Sequence, residues 1–151
     1  MEKGCFSADN SNWAVVSKDN RLRVFNTATR KERQSYTDRK HLDATYTCLA
    51  WGQEANAGLG RIALGSALGS VLVWDLARGV VIQTIALGTN SAPTDLCFSK
   101  DLSTLLISSN LSDIVEYSIK TGQLVNSYKG SKKGASALSV SPSSNSFAVG
   151  G

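Results

Sequence analysis

The sequence predicts an all-β protein built from repeated four-stranded sheets. Three segments share a pattern in which a small polar residue, a short turn and an alternating strand lead to an aromatic residue, at Phe25, Trp74 and Tyr117. These aromatic residues are 49 and 43 positions apart, a period typical of one four-stranded unit. Clusters of Ser, Asn, Asp and Gly separate the strand-like segments, as expected of turns. No segment requires a helix.

Each unit contains four strand-like segments in the same order. The first strands are CFS (5–7), LAWG (49–52), LCFS (96–99) and LSVSPSS (138–144), and the second strands are NWAVVS (12–17), RIALGS (61–66), TLLISS (104–109) and FAVGG (147–151). The third strands lie within 17–27, 66–76 and 109–119, and the fourth are KERQSYT (31–37), VVIQTIAL (80–87) and LVNSYKG (124–130). The units therefore cover about 3–37, 46–87 and 93–130, with a half unit over 135–151.

A physical reason favours stacking of these units. One four-stranded sheet cannot bury both of its apolar faces, whereas sheets packed face to face around an axis can. The three aromatic side chains are expected to fill the space between neighbouring sheets.

Composition limits the classes of function. The chain has 151 residues, 42% of them hydrophobic, and no run approaches the roughly 20 apolar residues that span a bilayer. A soluble, intracellular protein without membrane contact is expected. Cys5, Cys48 and Cys97 are too widely spaced for a metal site or a disulfide framework, and we interpret them as small buried hydrophobes. His41 is the single histidine, so a multi-histidine metal site is excluded.

Catalytic motifs are also missing from the sequence. The stretch GSALGS (65–70) lacks the GxxxxGK[ST] pattern of a phosphate-binding loop and leads into a strand instead of a helix. Carboxylates such as Asp75 and Asp101 lie at turns or strand ends, where capping is their ordinary role. We therefore predict no enzyme activity, no catalytic residue, no metal, no cofactor and no small-molecule substrate.

The positive charge is concentrated near the N-terminus. Residues 18–40 include eight basic and three acidic side chains, although the whole chain has a net charge of only +4. Two interpretations remain open: contact with RNA or an acidic partner, or protection of an outer strand against edge pairing. The candidate contact residues are Lys31, Arg33, Arg39, Lys40, Lys132 and Lys133. Lys31 and Arg33 are expected to share one face of their strand.

With Trp74-Asp75 at the end of a third strand, the chain resembles the WD-repeat β-propeller family over nearly all of its length. The resemblance implies a partial propeller of three four-stranded blades plus half of a fourth. The repeats are degenerate, because Phe25-Asn26 and Tyr117-Ser118 replace the Trp-Asp pair in the other two units.

In that family a Trp, a Ser or Thr, a turn Asp and a loop His form a hydrogen-bonded tetrad. The first repeat matches it at Ser17 and Asp19, the second has Trp74 and Ser66 with Leu68 at the Asp position, and the third has Ser109 and Leu111. His41 is either a remnant of this tetrad or an exposed loop residue. The blades are therefore expected to depend mainly on apolar packing.

Longer matches resemble one branch of the family. HL (41–42) followed by TCLAW (47–51), then ALGSALGSVLVW (63–74) and DIVEYSIKTG (113–122), are most similar to the amino-terminal propeller of the WD-repeat subunit of the UtpA (t-UTP) subcomplex of the small-subunit processome. This resemblance implies a non-catalytic scaffold in the nucleolus of the nucleus, with other UtpA subunits, processome proteins and pre-rRNA as partners. The alternative is a generic WD-repeat adaptor that recruits a substrate or joins a chromatin complex. Because an ordinary propeller closes with 4 to 8 blades, we also expect the chain to be a truncated part of a longer protein.

Overall fold

The computed structural model describes residues 3–7, 9–17, 19–36, 45–53, 58–88, 91–110, 113–129, 137–140 and 147–150. These residues form fourteen β-strands and no helix, which confirms the predicted all-β fold class. Over the same ranges, no helix has the length and apolar character needed to cross a membrane.

The strands form three four-stranded sheets and one two-stranded sheet, each antiparallel and in sequence order. The first sheet contains β1 (Lys3–Phe6), β2 (Asn12–Val16), β3 (Leu22–Asn26) and β4 (Glu32–Tyr36). The second contains β5 (Tyr46–Gly52), β6 (Arg61–Ser66), β7 (Ser70–Asp75) and β8 (Val80–Ala86). The third contains β9 (Pro93–Phe98), β10 (Thr104–Ser109), β11 (Asp113–Ser118) and β12 (Leu124–Lys129), and β13 (Ala137–Val140) pairs with β14 (Phe147–Gly150).

Successive sheets pack face to face. We call the side of a sheet that faces the following sheet its forward face and the opposite side its rear face. The forward face of the first sheet, including Val24 and Tyr36, packs on the rear face of the second, including Leu72 and Trp74. The first strand of each sheet contacts the first strand of the next sheet: β1 contacts β5, β5 contacts β9, and β9 contacts β13. The first strands therefore lie side by side, consistent with blades of a partial WD-repeat propeller.

The second sheet is buried on both faces. Leu72 faces the first sheet, whereas Val73 on the forward face packs with Leu105 and Ile107 of the third sheet. Leu72 and Val73 are 1% and 0% exposed, although consecutive strand residues point in opposite directions. The strands of the second sheet therefore have apolar residues at consecutive positions because a neighbouring sheet covers each face.

The third sheet continues the stack towards the β13–β14 hairpin. On its forward face, Leu106 and Ile114 form a small cluster with Cys97, Tyr128 and Phe147. The ring of Tyr128 meets that of Phe147 edge-on, with centroids 4.9 Å apart. This contact joins the third sheet to the hairpin by the same kind of packing as between the preceding sheets.

A bulge recurs at the same place in all three sheets. The pairing of third and fourth strands shifts just before Phe25, Trp74 and Tyr117, so that each fourth strand has one extra residue. A β-bulge bends its strand and increases the local twist. The repeat is therefore present in the structure as well as in the sequence.

The two-sided burial of the second sheet can be tested by paired truncations. We expect Leu72→Ala to lower the free energy of unfolding by about 2–5 kcal/mol, and Val73→Ala to lower it by about 1–3 kcal/mol, because each removes buried methyl groups from a different interface. Thr84→Ala, on the exposed surface of the same sheet, should stay within about 0.5 kcal/mol. Urea denaturation followed by circular dichroism measures all three. A Val73→Ala effect no larger than that of Thr84→Ala would contradict packing on the forward face.

Candidate interaction surface

Two sets of turns lie on one edge of the stack. Asn12, at the start of β2, pairs with Asn26 at the end of β3, so the turns that precede β2 and follow β3 are neighbours. The Thr27 N–H donates to the Ser11 carbonyl at 3.1 Å. Equivalent bonds join Leu76 to Gly60 at 3.2 Å and Ile119 to Ser103 at 3.0 Å. We call this side the turn edge; its described turns are 7–11 (except residue 8), 58–60, 99–103, 27–31, 76–79 and 119–123.

The third-to-fourth-strand turns have one shared geometry. Arg30, Gly79 and Gly122 occupy the same turn position, with φ of 59°, 67° and 70°. Each N–H donates to the carbonyl four residues earlier at 2.8–2.9 Å. Glycine adopts this left-handed conformation freely, whereas the conformation is unfavourable by about 1 kcal/mol for a residue that has a Cβ atom. The first sheet therefore has an arginine at a position where its backbone favours glycine.

A side chain at the start of each of these turns satisfies a backbone N–H. The Asn26 Oδ1 accepts from the N–H groups of Ala28 and Thr29 at 3.0 Å, and the Asp75 Oδ1 accepts from Arg78 at 3.1 Å. In the third sheet the Ser118 Oγ accepts from the Thr121 N–H at 3.3 Å. Such short polar side chains favour turns because they hydrogen-bond the backbone two or three residues on.

In the first and third sheets, the first-to-second-strand turn is closed by a Ser-x-Asp-x-Ser arrangement. Asp9 Oδ1 accepts from the Ser7 hydroxyl at 2.6 Å and from the Ser11 hydroxyl at 2.7 Å. Asp101 likewise accepts from Ser99 at 2.8 Å and from Ser103 at 2.6 Å. Hydrogen bonds from Ser7 and Ser11 lower the pKa of Asp9 to about 2, and bonds from Ser103 and Ser99 lower the pKa of Asp101 to about 2.

The serine and turn positions that resemble the WD tetrad, unlike Trp74, lie towards the opposite edge. The Ser17 hydroxyl donates to Asp19, which lowers the pKa of Asp19 to about 2 with further help from Arg23. Arg23 Nη2 lies 2.7 Å from Asp19 Oδ2. In the second sheet the Ser66 Oγ instead accepts the Leu68 N–H at 3.1 Å, and Leu68 is 72% exposed. The leucine leaves this turn without the carboxylate that closes its counterpart.

Trp74 is a packing residue. It is 4% exposed and its ring lies 5.6 Å from that of Tyr36 on the first sheet. Burial raises the pKa of Tyr36, and its hydroxyl donates to the Leu76 carbonyl at 2.9 Å. Within the part of the chain that the structure describes, the buried Trp74 Nε1 has no hydrogen-bond partner. His41, for which a tetrad remnant and an exposed loop residue were the two alternatives, lies outside the described residues, as does Leu111.

Two of the six predicted contact residues can be located. Lys31 and Arg33 are exposed, immediately before and within β4. Arg33 is the extra residue of the bulge, because Phe25 pairs with Glu32 and Val24 with Gln34. The expected simple alternation with Lys31 is therefore interrupted, and Arg33 Nη1 donates to Asn12 Oδ1 at 3.1 Å. The other four, Arg39, Lys40, Lys132 and Lys133, lie outside the described residues.

The turn edge exposes four further cations that the sequence analysis did not select. Arg30, Arg78 and Lys120 lie on the three third-to-fourth-strand turns, and Lys100 lies on the turn between β9 and β10. All four are exposed. Arg78, Lys100 and Lys120 lie outside the charge run at 18–40, so a search for charge runs misses them. Alignment of the repeats at the third-to-fourth-strand turns could have found three of the four cations, all except Lys100.

A small cavity lies between the second and third sheets. Its volume is about 200 Å³, and its lining includes Leu87, Ile107, Val115 and Tyr117. Pockets for small molecules are usually about 300–1,000 Å³, so this cavity is small for such a ligand. Among the described residues, no three His, Cys, Asp or Glu side chains are grouped as metal ligands.

Comparison with known proteins adds one similarity. No family model matches the chain. The chain is 28% identical over 150 residues to the human protein "WD repeat-containing protein 43", and the match covers 86% of this chain and 22% of the relative. The chain thus spans less than a quarter of the relative's length. Together with the stacked four-stranded sheets, this similarity supports the WD-repeat family and suggests a scaffold or adaptor.

The Ser-x-Asp-x-Ser turns should stabilise the fold at neutral pH and lose this contribution in acid. Because the pKa of Asp101 is about 2 in the folded chain and near 3.9 in an unfolded one, this contribution is present above pH 4 and is lost as the pH falls through 2. Asp101→Asn should lower stability at pH 7 and flatten its decline between pH 4 and 2. Urea midpoints across this range measure the effect. The control Asp75→Asn removes the same charge, and Asn26 shows that an asparagine can cap the equivalent turn of the first sheet. If both variants showed the same change in stability and in its pH dependence, the special role of Asp101 would be contradicted.

The missing carboxylate of the second sheet can be restored. We expect Leu68→Asp to raise the free energy of unfolding by about 0.5–1 kcal/mol, because the new carboxylate can accept from Ser66 as Asp19 accepts from Ser17. Thermal and urea denaturation provide the measurement. Leu68→Ala separates this gain from the removal of an exposed leucine. Equal stability of Leu68→Asp and Leu68→Ala would show that no such hydrogen bond forms.

Proposed function

We propose that this chain is a non-catalytic scaffold in ribosome biogenesis, as part of the UtpA subcomplex of the small-subunit processome. It would act in the nucleolus, helping to assemble UtpA on nascent pre-rRNA and supporting rRNA processing and rDNA transcription. The resemblance of 63–74 and 113–122 to a UtpA subunit supports this role. The 28% identity to a human WD-repeat protein supports the broader scaffold class.

One structural observation supports a scaffold above other functions: the second sheet is buried on both faces by its neighbours. Sheets held in this way form a rigid support whose turns and outer strands remain available to several partners. Other UtpA subunits and processome proteins are the proposed partners. Pre-rRNA or an acidic partner could contact Lys31, Arg33, Arg39, Lys40, Lys132 and Lys133, either directly or as part of the complex.

A second candidate is a generic WD-repeat adaptor for substrate recruitment or a chromatin-associated complex. The observation that favours it is the exposed aromatic surface on the rear face of the first sheet. Phe6 is 59% exposed and Trp13 is 36% exposed, and the ring of Trp13 lies 5.3 Å from that of Phe25. Exposed apolar groups of this kind commonly mark protein interfaces.

The two candidates differ in the partners that they predict. A tagged copy of the chain, expressed in cells and purified under mild salt, should co-purify UtpA subunits and 5′ pre-rRNA and should be found in the nucleolus, because a scaffold remains with its assembly. Mass spectrometry, RNA sequencing and microscopy measure these outcomes. A ligase or chromatin complex without processome subunits would favour the adaptor. Phe6→Ser/Trp13→Ser is the variant that should lose adaptor partners selectively.

A further inference from the structure

The turn edge of the three sheets has an excess of exposed cations. Its five exposed cationic residues are Arg30, Lys31, Arg78, Lys100 and Lys120. The ion pairs found within the described ranges involve only Arg21, Arg23, Asp19 and Glu32. The turn-edge cations are therefore not used in those pairs.

Three carboxylates lie on the same edge and reduce its charge only in part. Asp75 caps its own turn through the Arg78 N–H, and Asp9 and Asp101 each accept two serine hydroxyls. Their hydrogen-bonding capacity is directed into the turns. Within the described part of this edge, five cations against three carboxylates leave a net positive charge.

The position of Arg30 supports a role for this charge. Its φ of 59° is the conformation that Gly79 and Gly122 adopt at the same position of the other two turns. Glycine would adopt it without strain. Arg30 therefore places a cation at the turn edge where folding alone favours glycine.

The turn tips favour a phosphate chain over a peptide. On the third-to-fourth-strand turns, the exposed residues near the cations include the small or hydroxylic Ala28, Thr29, Ala77 and Thr121, whereas protein interfaces depend on buried aromatic or large apolar anchors. Lys, Arg and Thr side chains are ordinary phosphate ligands. Stacked sheets lie about 10 Å apart, and a flexible single strand can follow a row of turns at that spacing better than a stiff duplex can.

We propose that the turn edge binds the phosphate backbone of single-stranded RNA through Arg30, Arg78, Lys100 and Lys120, with Lys31 beside them. This inference rests on the proposed function, since it names the direct contact of the scaffold with RNA. Contacts to the phosphate backbone carry no sequence information, so this binding is expected to be independent of base sequence.

The test measures the salt dependence of binding to a fluorescently labelled 20-nucleotide oligouridylate. For single strands, log K falls with log salt by about 0.7 per phosphate contact. Replacement of Arg30, Arg78, Lys100 and Lys120 by Gln should therefore reduce the slope by about 3. The two-residue variant Arg78→Gln/Lys120→Gln should reduce it by about 1.4. Circular dichroism and urea midpoints confirm that each variant is folded.

A charge-matched control uses cations on the opposite edge. Arg21→Gln/Lys129→Gln removes the same charge as Arg78→Gln/Lys120→Gln, and both control residues are exposed. This control variant should change the salt slope by less than half as much as Arg78→Gln/Lys120→Gln does. Equal slopes for the two variants, or a four-residue variant with the wild-type slope, would overturn the proposal. If the four-residue variant does not fold, the salt slope of Arg78→Gln/Lys120→Gln is compared with that of the control variant instead. The charge-conserving variant Arg78→Lys/Lys120→Arg should retain the wild-type slope.

An acidic partner and the failure of the wider proposal give different results. A polyglutamate peptide that competes with oligouridylate at equal charge concentration would identify a general polyanion-binding site and overturn the assignment to RNA. An unchanged slope together with co-purified UtpA subunits would reject this contact alone. A reduced slope without processome partners would reject the UtpA role alone.

Discussion

The structure depends on one constraint: both faces of each inner sheet must be covered. In the second sheet, Leu72 and Val73 point to opposite sides and are both almost fully buried. At about 25 cal/mol per Å² of apolar surface, exposing either face would remove much of the stabilisation of so small a sheet. Stacking fixes the position of every turn relative to its neighbours. The regular turn edge is therefore a consequence of core packing.

The sequence predicted the strands well because alternation and turn chemistry agree in every unit. It also predicted that aromatic residues pack between sheets, which Trp74 confirms, being 4% exposed between the first and second sheets. Phe25 differs, since it lies on the rear face of the first sheet and contacts Trp13 of its own sheet. Period alone does not say which sheet an aromatic residue meets, because that depends on position in the stack.

The candidate surface was less predictable than the fold. A register shift next to Phe25 makes Arg33 a bulge residue that reaches Asn12, and strict alternation in the sequence does not reveal such a shift. Arg30 and Lys120 are 90 positions apart, yet the repeat places them on equivalent turns. Charge runs describe local density, whereas the edge is formed by residues distant in sequence. Alignment of the repeats at their third-to-fourth-strand turns could have found three of its cations.

Trp74 shows how the second sheet remains stable with an incomplete tetrad. Its indole N–H is buried and, among the described residues, unpartnered, which is unfavourable by about 1–3 kcal/mol. Burying a tryptophan removes about 150–250 Å² from water, worth about 4–6 kcal/mol at 25 cal/mol per Å². Packing therefore outweighs the missing hydrogen bond. Tyr36 adds to it, since its ring lies against Trp74 while its hydroxyl bonds the Leu76 carbonyl. The first and second sheets are thus joined by apolar contact and by the hydrogen bond from Tyr36 to the Leu76 carbonyl.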